Sequence, residues 1–501
     1  MTNRNRFFYN GILLSAVGLA LRTVGLFFGA YISRVVGAEG IGLHSLVMTV
    51  YSFALTFATS GISLTVTRLV ASAVSEEGDG GGGRILRGAV VYSLLFGGSA
   101  SAALFFASDA LGAAVLFGTE SARALRILSL SLIPTALSSV FSGYFVGVKR
   151  VFCNATVQVF AQGFRIVFTV LLFSHFGNIG AARAVTLLCV GTTACELICF
   201  IIVFCEFLID RALTRRRCRR ASGGVEYRAV FGMALPLAIS AYIRSALITL
   251  EHSLIPKRLQ RRGEGVGESL ASYGYLHGMA LPLILYPMSP LSSFAGLLVP
   301  EFAEVGDGAQ RRRERIATEA INATLVYSSA VAVFLYLFSE ELGYAVYNSY
   351  DAGHYIALLS PVIPIMYLDH VTDSILKGIG EHVYSMWVNI ADSLISVFLV
   401  FVLIPLLGIG GYAVVIIGME LFNFTLSVVR LKKRIRFKVH AMHSVIVPLA
   451  SAATAALLSK ALFISAGRET TAALLGAKII FALCVFIGMR TLLLLPIKKQ
   501  K

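Results

Sequence analysis

Charge is what this sequence has least of. Only 14% of its 501 residues are Asp, Glu, Lys or Arg, against about 25% in a soluble chain. Hydrophobic residues make up 57%, and the mean hydropathy is +0.79. The apolar residues come in long blocks, not in alternating segments of about ten residues. That excludes a transmembrane β-barrel and predicts an all-α polytopic membrane protein. A phosphate loop is missing too. The glycine tract EEGDGGGGR at 76–84 lacks a GK[ST] ending and reads as a flexible linker, so no ATPase domain is expected. Metal-site spacing is also lacking. Cys189, Cys195, Cys199 and Cys205 fall in or beside one apolar block, and Cys153, Cys218 and Cys484 lie apart. No zinc site or paired framework emerges, and the seven read as small polarizable packing residues. The start, MTNRNRFF, runs into the first apolar block with no small-residue cleavage site, so that block reads as a retained span.

Fourteen helices are expected, at 11–33, 41–70, 86–107, 122–147, 152–175, 181–208, 229–255, 270–300, 317–339, 356–377, 384–406, 410–430, 443–464 and 472–495. The net charge of +16 is not a nucleic-acid signal, because the basic residues lie between these blocks. TNRNR, GGRILR, RALTRRRCRR, RRRER, RLKKRIRFK and the tail PIKKQK all fall on one side. The positive-inside rule makes that side cytoplasmic, with both termini inside a multi-pass cytoplasmic-membrane protein. These basic margins suit contacts with membrane lipids. One external loop dissents, PKRLQRRGEGVGES at 256–269.

The halves of the chain resemble each other. IPTALSSVFSGYFVGVKR begins at Ile133 and IPIMYLDHVTDSILKGIGE at Ile363, each ending near a glycine, Gly147 and Gly378. GILLSAVGLALR ends at Arg22 and GMALPLAISAYIR at Arg244; LVAS at 69–72 matches LVPE at 298–301. The offset is 222 residues for the arginine pair and about 230 for the other two. Six helices followed by six more of the same sense form a parallel repeat. The expected organisation is an N-lobe at 1–210, a basic linker at 211–228, a C-lobe at 229–430 and two added helices at 431–501. Such halves are expected to work as a monomer by alternating access.

Several charges fall inside the blocks. Arg22, Arg165 and Arg244 lie roughly 18–23 Å from the cytoplasmic face at ~1.5 Å rise per residue. A guanidinium at that depth is costly unless it faces water or a partner. A basic lining suits an anionic headgroup, above all a pyrophosphate, which guanidinium grips as a planar fork. Arg68 lies near the cytoplasmic end of its helix and joins the set. Gln158, Gln162 and Arg165 share one helix face. Interhelix hydrogen bonds account for the two glutamines equally well, and a structural salt bridge or snorkelling is the alternative for the arginines. The acids Asp369, Asp373, Asp392 and Glu420 lie at similar depth, beside His370. They are candidates for a coupling monovalent cation or proton, or for pairing with basic residues of the other lobe. Lys478 is expected to snorkel outward. No cofactor and no metal are expected; movement across the membrane would draw on that ion, on the membrane potential, or on substrate supply and removal.

The stretches SRVVGAEGIGLHSLVMTVYSF at 33–53, SGISLTVTRLVAS at 60–72, QVFAQGFR at 158–165 and LIPLLGIGGY at 403–412 resemble the stage V sporulation protein B-like branch of the oligosaccharide flippases. That branch belongs to the MOP superfamily, with the MATE exporters and the MurJ-type lipid II flippases. The resemblance covers most of the chain. It implies translocation of an undecaprenyl-pyrophosphate-linked oligosaccharide, favouring a peptidoglycan precursor such as lipid II, with no enzymatic activity. It also implies a cavity lined by helices one, two, seven and eight, three of which carry Arg22, Arg68 and Arg244 here. The eighth carries no arginine, where lipid II flippases have a basic residue. Ala161 stands where sporulation relatives often have Glu. The last two helices are implied to form a groove for the lipid tail. The alternatives are an exopolysaccharide repeat-unit flippase and a MATE-like organic-cation antiporter. A polyprenyl glycosyltransferase is disfavoured, because the one acid-rich loop, SEELGYAVYNSYDAGHY, has no metal spacing.

Overall fold

The computed structural model describes residues 3–77, 82–114, 118–148, 150–177, 180–214, 227–304, 310–463 and 472–498. Residues 78–81 of the glycine tract, most of the basic linker at 211–228, Cys218 and the last residues of the tail lie outside the described residues. The chain is helical throughout what is described. Twelve helices are long and apolar enough to cross a membrane, and a thirteenth span is a bent pair. One of the twelve, Val17–Val74, has 58 residues. At ~1.5 Å per residue it would be about 87 Å long, far more than a bilayer core of about 30 Å. It contains both of the first two expected helices, divided at Gly37, whose φ of 75° and ψ of 174° break the helix α1, Asn3–Thr59. Glycine tolerates that conformation because it has no Cβ. With this division the spans match the expected fourteen one for one.

Four of the expected helices are interrupted: the second at Gly61 (φ 78°), the eighth at a bend of 59°, and the fourth and tenth beside prolines. The fourth is α4, Thr119–Ser129, then α5, Leu132–Gly147. The tenth is α14, Tyr350–Leu359, a 3-10 turn at Ser360–Val362, then α15, Ile363–Gly378. Pro134, Pro361 and Pro364 sit at these interruptions, where a missing N–H costs least. Lys478 also departs from expectation. It does not snorkel but is buried, 6% exposed. It lies on α19, Ala472–Lys498, packed against α18, Val447–Leu462. The alanines 452, 455 and 456 let the two backbones approach, and Ser459 of α18 donates to the Lys478 carbonyl at 2.8 Å.

The chain forms two compact units. The first is Met1–Leu21, Glu39–Lys257 and Val266–Leu270; the second is Arg22–Ala38, Arg258–Gly265 and Ala271–Lys501. They cut the chain differently from the expected lobes. Residues 22–38 group with the second unit and residues 229–257 with the first, because tertiary contacts, not repeat membership, define compactness.

Each unit contains the same local architecture. In the first, α5 packs on α2, Ile62–Glu77, and α6, Val151–Phe176, packs on α7, Ala181–Thr214. In the second, α15 packs on α11, Met288–Glu304, and α16, His382–Leu407, on α17, Ile409–Arg434. Helices α5 and α15 both have 16 residues, and α6 and α16 both have 26. The last two end on Gly177 (φ 64°, ψ −148°) and Gly408 (φ 65°, ψ −149°). The closing glycines of α5 and α15 serve one purpose. A Cβ on Gly147 would sit 3.0 Å from the Thr67 carbonyl of α2, and one on Gly378 would sit 2.8 Å from the Phe302 Cβ of α11. Both allow close helix approach.

The turns after these glycines carry ion pairs of opposite polarity. In the first unit Arg150 pairs with the buried Asp210 near the end of α7, and Tyr144 donates to Asp210 at 2.8 Å. In the second, Glu381 occupies the matching turn. Arg430 and Arg434 of α17 grip its two oxygens at 2.7 and 2.6 Å, and the Arg430 guanidinium lies over the Tyr384 ring. The Arg430 hydrogen bond holds the Glu381 carboxyl below its ordinary value, and Arg434 adds to this. A carboxyl depressed on folding contributes stability that is present above its unfolded value and is lost as pH falls through the folded one. Glu381→Gln is therefore expected to lower the melting temperature at pH 7. The loss is about 1 kcal/mol, since both arginines are partly exposed. The gap to wild type should close as pH is taken below 4 in a thermal-unfolding series.

Candidate functional site

In the second unit one span is broken in the middle. The segment Val266–Leu285 and α11 meet at a bend of 59° around Tyr286 and Pro287. Upstream of the bend Gly274–Ala280 forms a π-helical turn. A broken backbone at membrane depth must have its freed groups satisfied by protein or by a polar cavity. Here hydroxyls do it. Tyr367 of α15 donates to the Ile284 carbonyl at 2.8 Å. Tyr327 of α12, Gln310–Leu337, donates to the Pro287 carbonyl at 2.5 Å.

Arg22 is held at this break. Its Nη1 donates to Ser289 Oγ at 2.9 Å, in the first turn of α11. The neighbouring Thr23 hydroxyl shares a hydrogen bond with Tyr286 Oη at 2.7 Å. Arg22 itself remains exposed, and its charge bears on His370 of α15. A guanidinium and the positive end of a helix dipole thus lie side by side, with one hydroxyl shared between them. That combination is suited to an anionic group.

The acids of the second unit divide into two sets. Asp369 of α15, Asp392 of α16 and Glu420 of α17 interact electrostatically, and Asp369 also shares a hydrogen bond with Ser427. Asp373 instead pairs with Lys377, one turn along, at 2.6 Å. Asp373 also bears on Asp369, so all four expected acids interact, with Asp373 the one that has a cationic partner. Among the described residues no three His, Cys, Asp or Glu side chains have metal-binding spacing.

The first unit holds Arg68, Gln158, Gln162, Arg165 and Arg244. Arg68 of α2, Gln158 of α6 and Arg244 of α8, Tyr227–Arg261, are exposed, and Gln162 is half-buried. Hydroxyls beside Arg244 hold α8 against the second half of α1. Tyr242 donates to the Phe57 carbonyl at 3.2 Å and Ser245 to Thr56 at 3.3 Å. Arg165 has an anionic partner. Its Nη2 lies 3.7 Å from Glu196 of α7, and Thr135 of α5 donates to the other Glu196 oxygen at 3.1 Å. The charge on Arg165 also bears on His44 and Tyr51 of α1, and Tyr51 bonds Ser131 at 2.7 Å. This polar knot joins four helices. Glu196 carried no weight in the sequence, because nothing there places α7 against Arg165. The bend at Tyr286 did leave a mark, since YPMSP puts two prolines three residues apart.

Residues 7–305 match the family model described as "Polysaccharide biosynthesis protein". The chain belongs to the polysaccharide biosynthesis protein family. A second model, MatE, matches residues 268–402. The family member is 25% identical over 433 residues to "Stage V sporulation protein B" of Bacillus subtilis (strain 168), covering 83% of this chain and 82% of that protein. Its fold is similar to the solved structure "Lipid II flippase MurJ, inward closed conformation", with a TM-score of 0.72 at 13% identity, over 97% of this chain and 99% of the other. It is also similar to an inward-facing "multidrug resistance MATE family transporter of the MOP superfamily", with a TM-score of 0.65 at 18% identity, over 84% of this chain and 99% of the other. The chain is therefore a multi-pass, all-helical member of the polysaccharide biosynthesis protein family, with the fold of these two structures.

The Arg165–Glu196 pair gives a direct test of the polar knot. Removing one member of a partly buried pair strands the other charge. Glu196→Ala is expected to cost about 1–2 kcal/mol of unfolding free energy, scaled down from a fully buried pair because neither side chain is fully buried. Arg165→Met/Glu196→Leu should recover part of that loss. Additive losses in the double-mutant cycle would show that the two residues do not interact.

Proposed function

We propose that this protein is a flippase for an undecaprenyl-pyrophosphate-linked oligosaccharide, of the peptidoglycan-precursor class to which lipid II belongs. It moves its substrate from the inner to the outer leaflet of the cytoplasmic membrane by alternating access, with both termini in the cytoplasm. The observation that carries this reading is Arg22, held by Ser289 at the start of a half-helix in a broken span. Discontinuous helices in transporters direct their half-helix N-termini at anionic substrate groups. A guanidinium beside such an end binds a pyrophosphate through charge-assisted, two-pronged hydrogen bonds. The name of the lipid II flippase that shares this fold agrees with the same substrate class.

Within the second unit Arg22 is the headgroup contact, and Asp369, Asp392 and Glu420 take up a coupling proton or monovalent cation. Asp373, tied to Lys377, has the lesser part. Within the first unit Arg68 and Arg244 are further phosphate contacts, with Gln158 and Gln162 as hydrogen-bonding groups. Arg165 acts chiefly through Glu196, joining α6 to α7. A MATE-like exporter of organic cations is the competing reading. It is favoured by the match of the MatE model to residues 268–402 and by the three clustered acids.

Native mass spectrometry of the purified protein separates the two. Lipid II, undecaprenyl pyrophosphate and a lipophilic cation compete for wild type and for Arg22→Ala/Arg244→Ala. The expected result is binding of the pyrophosphate lipids, lowered at least about tenfold by the double substitution, the loss of one charge-assisted contact. Arg22→Lys should recover only part, because ammonium lacks the planar fork. Cation binding that survives the substitution, without preference for pyrophosphate, would replace the flippase reading with the exporter one.

A further inference from the structure

The chain between α17 and the next span is short and tightly held. Helix α17 ends at Arg434, and Ile435 turns out of it into extended backbone, φ −136° and ψ 131°. Residues 435–440 are not helical, and the next helix starts with a π turn at Met442–Ile446. This strap lies along α12. Asn322, a polar residue inside that helix, donates to the Lys438 carbonyl at 2.7 Å. Its oxygen accepts from the His440 backbone N–H at 2.9 Å and from Ser444 Oγ at 2.7 Å. Thr318, one turn earlier, accepts from the Lys438 N–H at 3.3 Å, and Gln310 donates to the Arg434 carbonyl at 3.2 Å. The six-residue strap thus has a fixed conformation that its own side chains do not need to hold.

Those side chains face two ways. Ile435 is buried and Phe437 half-buried, while Arg436, Lys438 and His440 are exposed, the alternation of extended backbone. No acidic residue occurs between 421 and 441. Of the nearby acids, Glu381 is engaged by Arg430 and Arg434, Glu301 by Arg312 and Glu319 by Arg315, while Glu314, between Gln310 and Thr318 on α12, accepts from the Gln310 amide at 3.4 Å. Among the described residues Arg436 and Lys438 form no ion pair. The cations also do not stand over polar surface. Val439, Met442 and Ile446 are exposed, at 47%, 58% and 53%, and run from the strap onto the following helix. A strap tied at each end to a membrane-spanning helix lies at headgroup depth, with this apolar strip beside it.

We propose that the strap is a docking site for an anionic phospholipid: Arg436 and Lys438, fixed by Asn322, hold its phosphate, and its acyl chains lie on Val439, Met442 and Ile446. The apolar strip is what selects a lipid over a soluble anion. The site is separate from Arg22 and does not depend on the flippase reading. Its bound lipid would brace the junction between the repeat and the two added helices.

The test is retention of phosphatidylglycerol by the full-length protein, read by native mass spectrometry after exchange with phosphatidylcholine of the same acyl chains. Cations near a surface contribute about fivefold each to anionic-lipid affinity. R436Q/K438Q is expected to lower retention at least fivefold. K432Q/K433Q, which removes two exposed cations of α17 outside the strap, should change it less than twofold. N322A keeps every charge but frees the strap, and retention should again fall. Excess inorganic phosphate should not displace the lipid. The proposal is overturned by wild-type retention in R436Q/K438Q, by equal losses in the two double variants, or by displacement with inorganic phosphate. Wild-type retention in N322A would also remove the fixed geometry from it. If N322A does not fold, the comparison of the two exposed double variants decides alone.

Discussion

A backbone that crosses a membrane must satisfy its own N–H and C=O groups, because the lipid offers no partner. That constraint shapes every interruption in this protein. Where α4 gives way to α5, Ser101 donates to the Ser129 carbonyl at 2.7 Å and Thr193 to the Ile127 carbonyl at 3.1 Å. Before the 3-10 turn at Ser360–Val362, Ser360 donates to the Ile356 carbonyl at 2.5 Å. At the 59° bend two tyrosines take the freed carbonyls. A few of the serines, threonines and tyrosines in these apolar helices thus serve the breaks, while most of the serine and threonine hydroxyls bond the carbonyl one turn back in their own helix. The break at Tyr286 differs from the rest because an arginine has been brought to it as well.

The repeat is stronger in backbone than in sequence. Helix lengths, closing glycines and packing partners agree between the two units, while identity survives in only a few short stretches. Steric demands explain the difference. A glycine at a close crossing has no substitute, and a left-handed residue at a helix end has few. A side chain that merely fills apolar volume has many substitutes. Charged residues have been free to change sign as long as each kept its partner, as Arg150 with Asp210 and Glu381 with its two arginines illustrate.

The spans were legible because hydropathy over some twenty residues is a strong signal, but several ends lie six to eight residues from expectation, as Ala114 against 107 and Gln310 against 317 show. The interruptions were not, since hydropathy runs unbroken through Leu130 and Ser360. The prolines beside them mark where a break is tolerated, not where one occurs. Arg22 and the three clustered acids were recognisable as intramembrane charges. Their surroundings were not, because Ser289, Ser427 and Glu196 are distant in the chain and acquire meaning only through packing. Lys478 misled for the same reason: a long cationic side chain near a helix end implies escape to water, and only the alanine face of α18 explains its burial. The division into compact units was equally hidden. A repeat records how a chain was built, whereas compactness records which helices touch.

The opposite polarity of the two end-of-helix clamps has a consequence for assembly. The units share so much backbone geometry that a helix from one half has a ready-made seat in the other. During insertion the halves emerge in turn, and α17 could dock on the turn meant for α7. In that error Arg430 and Arg434 would meet Arg150, like charge against like, with Glu381 left bare. Opposite polarity at the two clamps thus sets a like-charge cost against exchanging these helices between the duplicated halves.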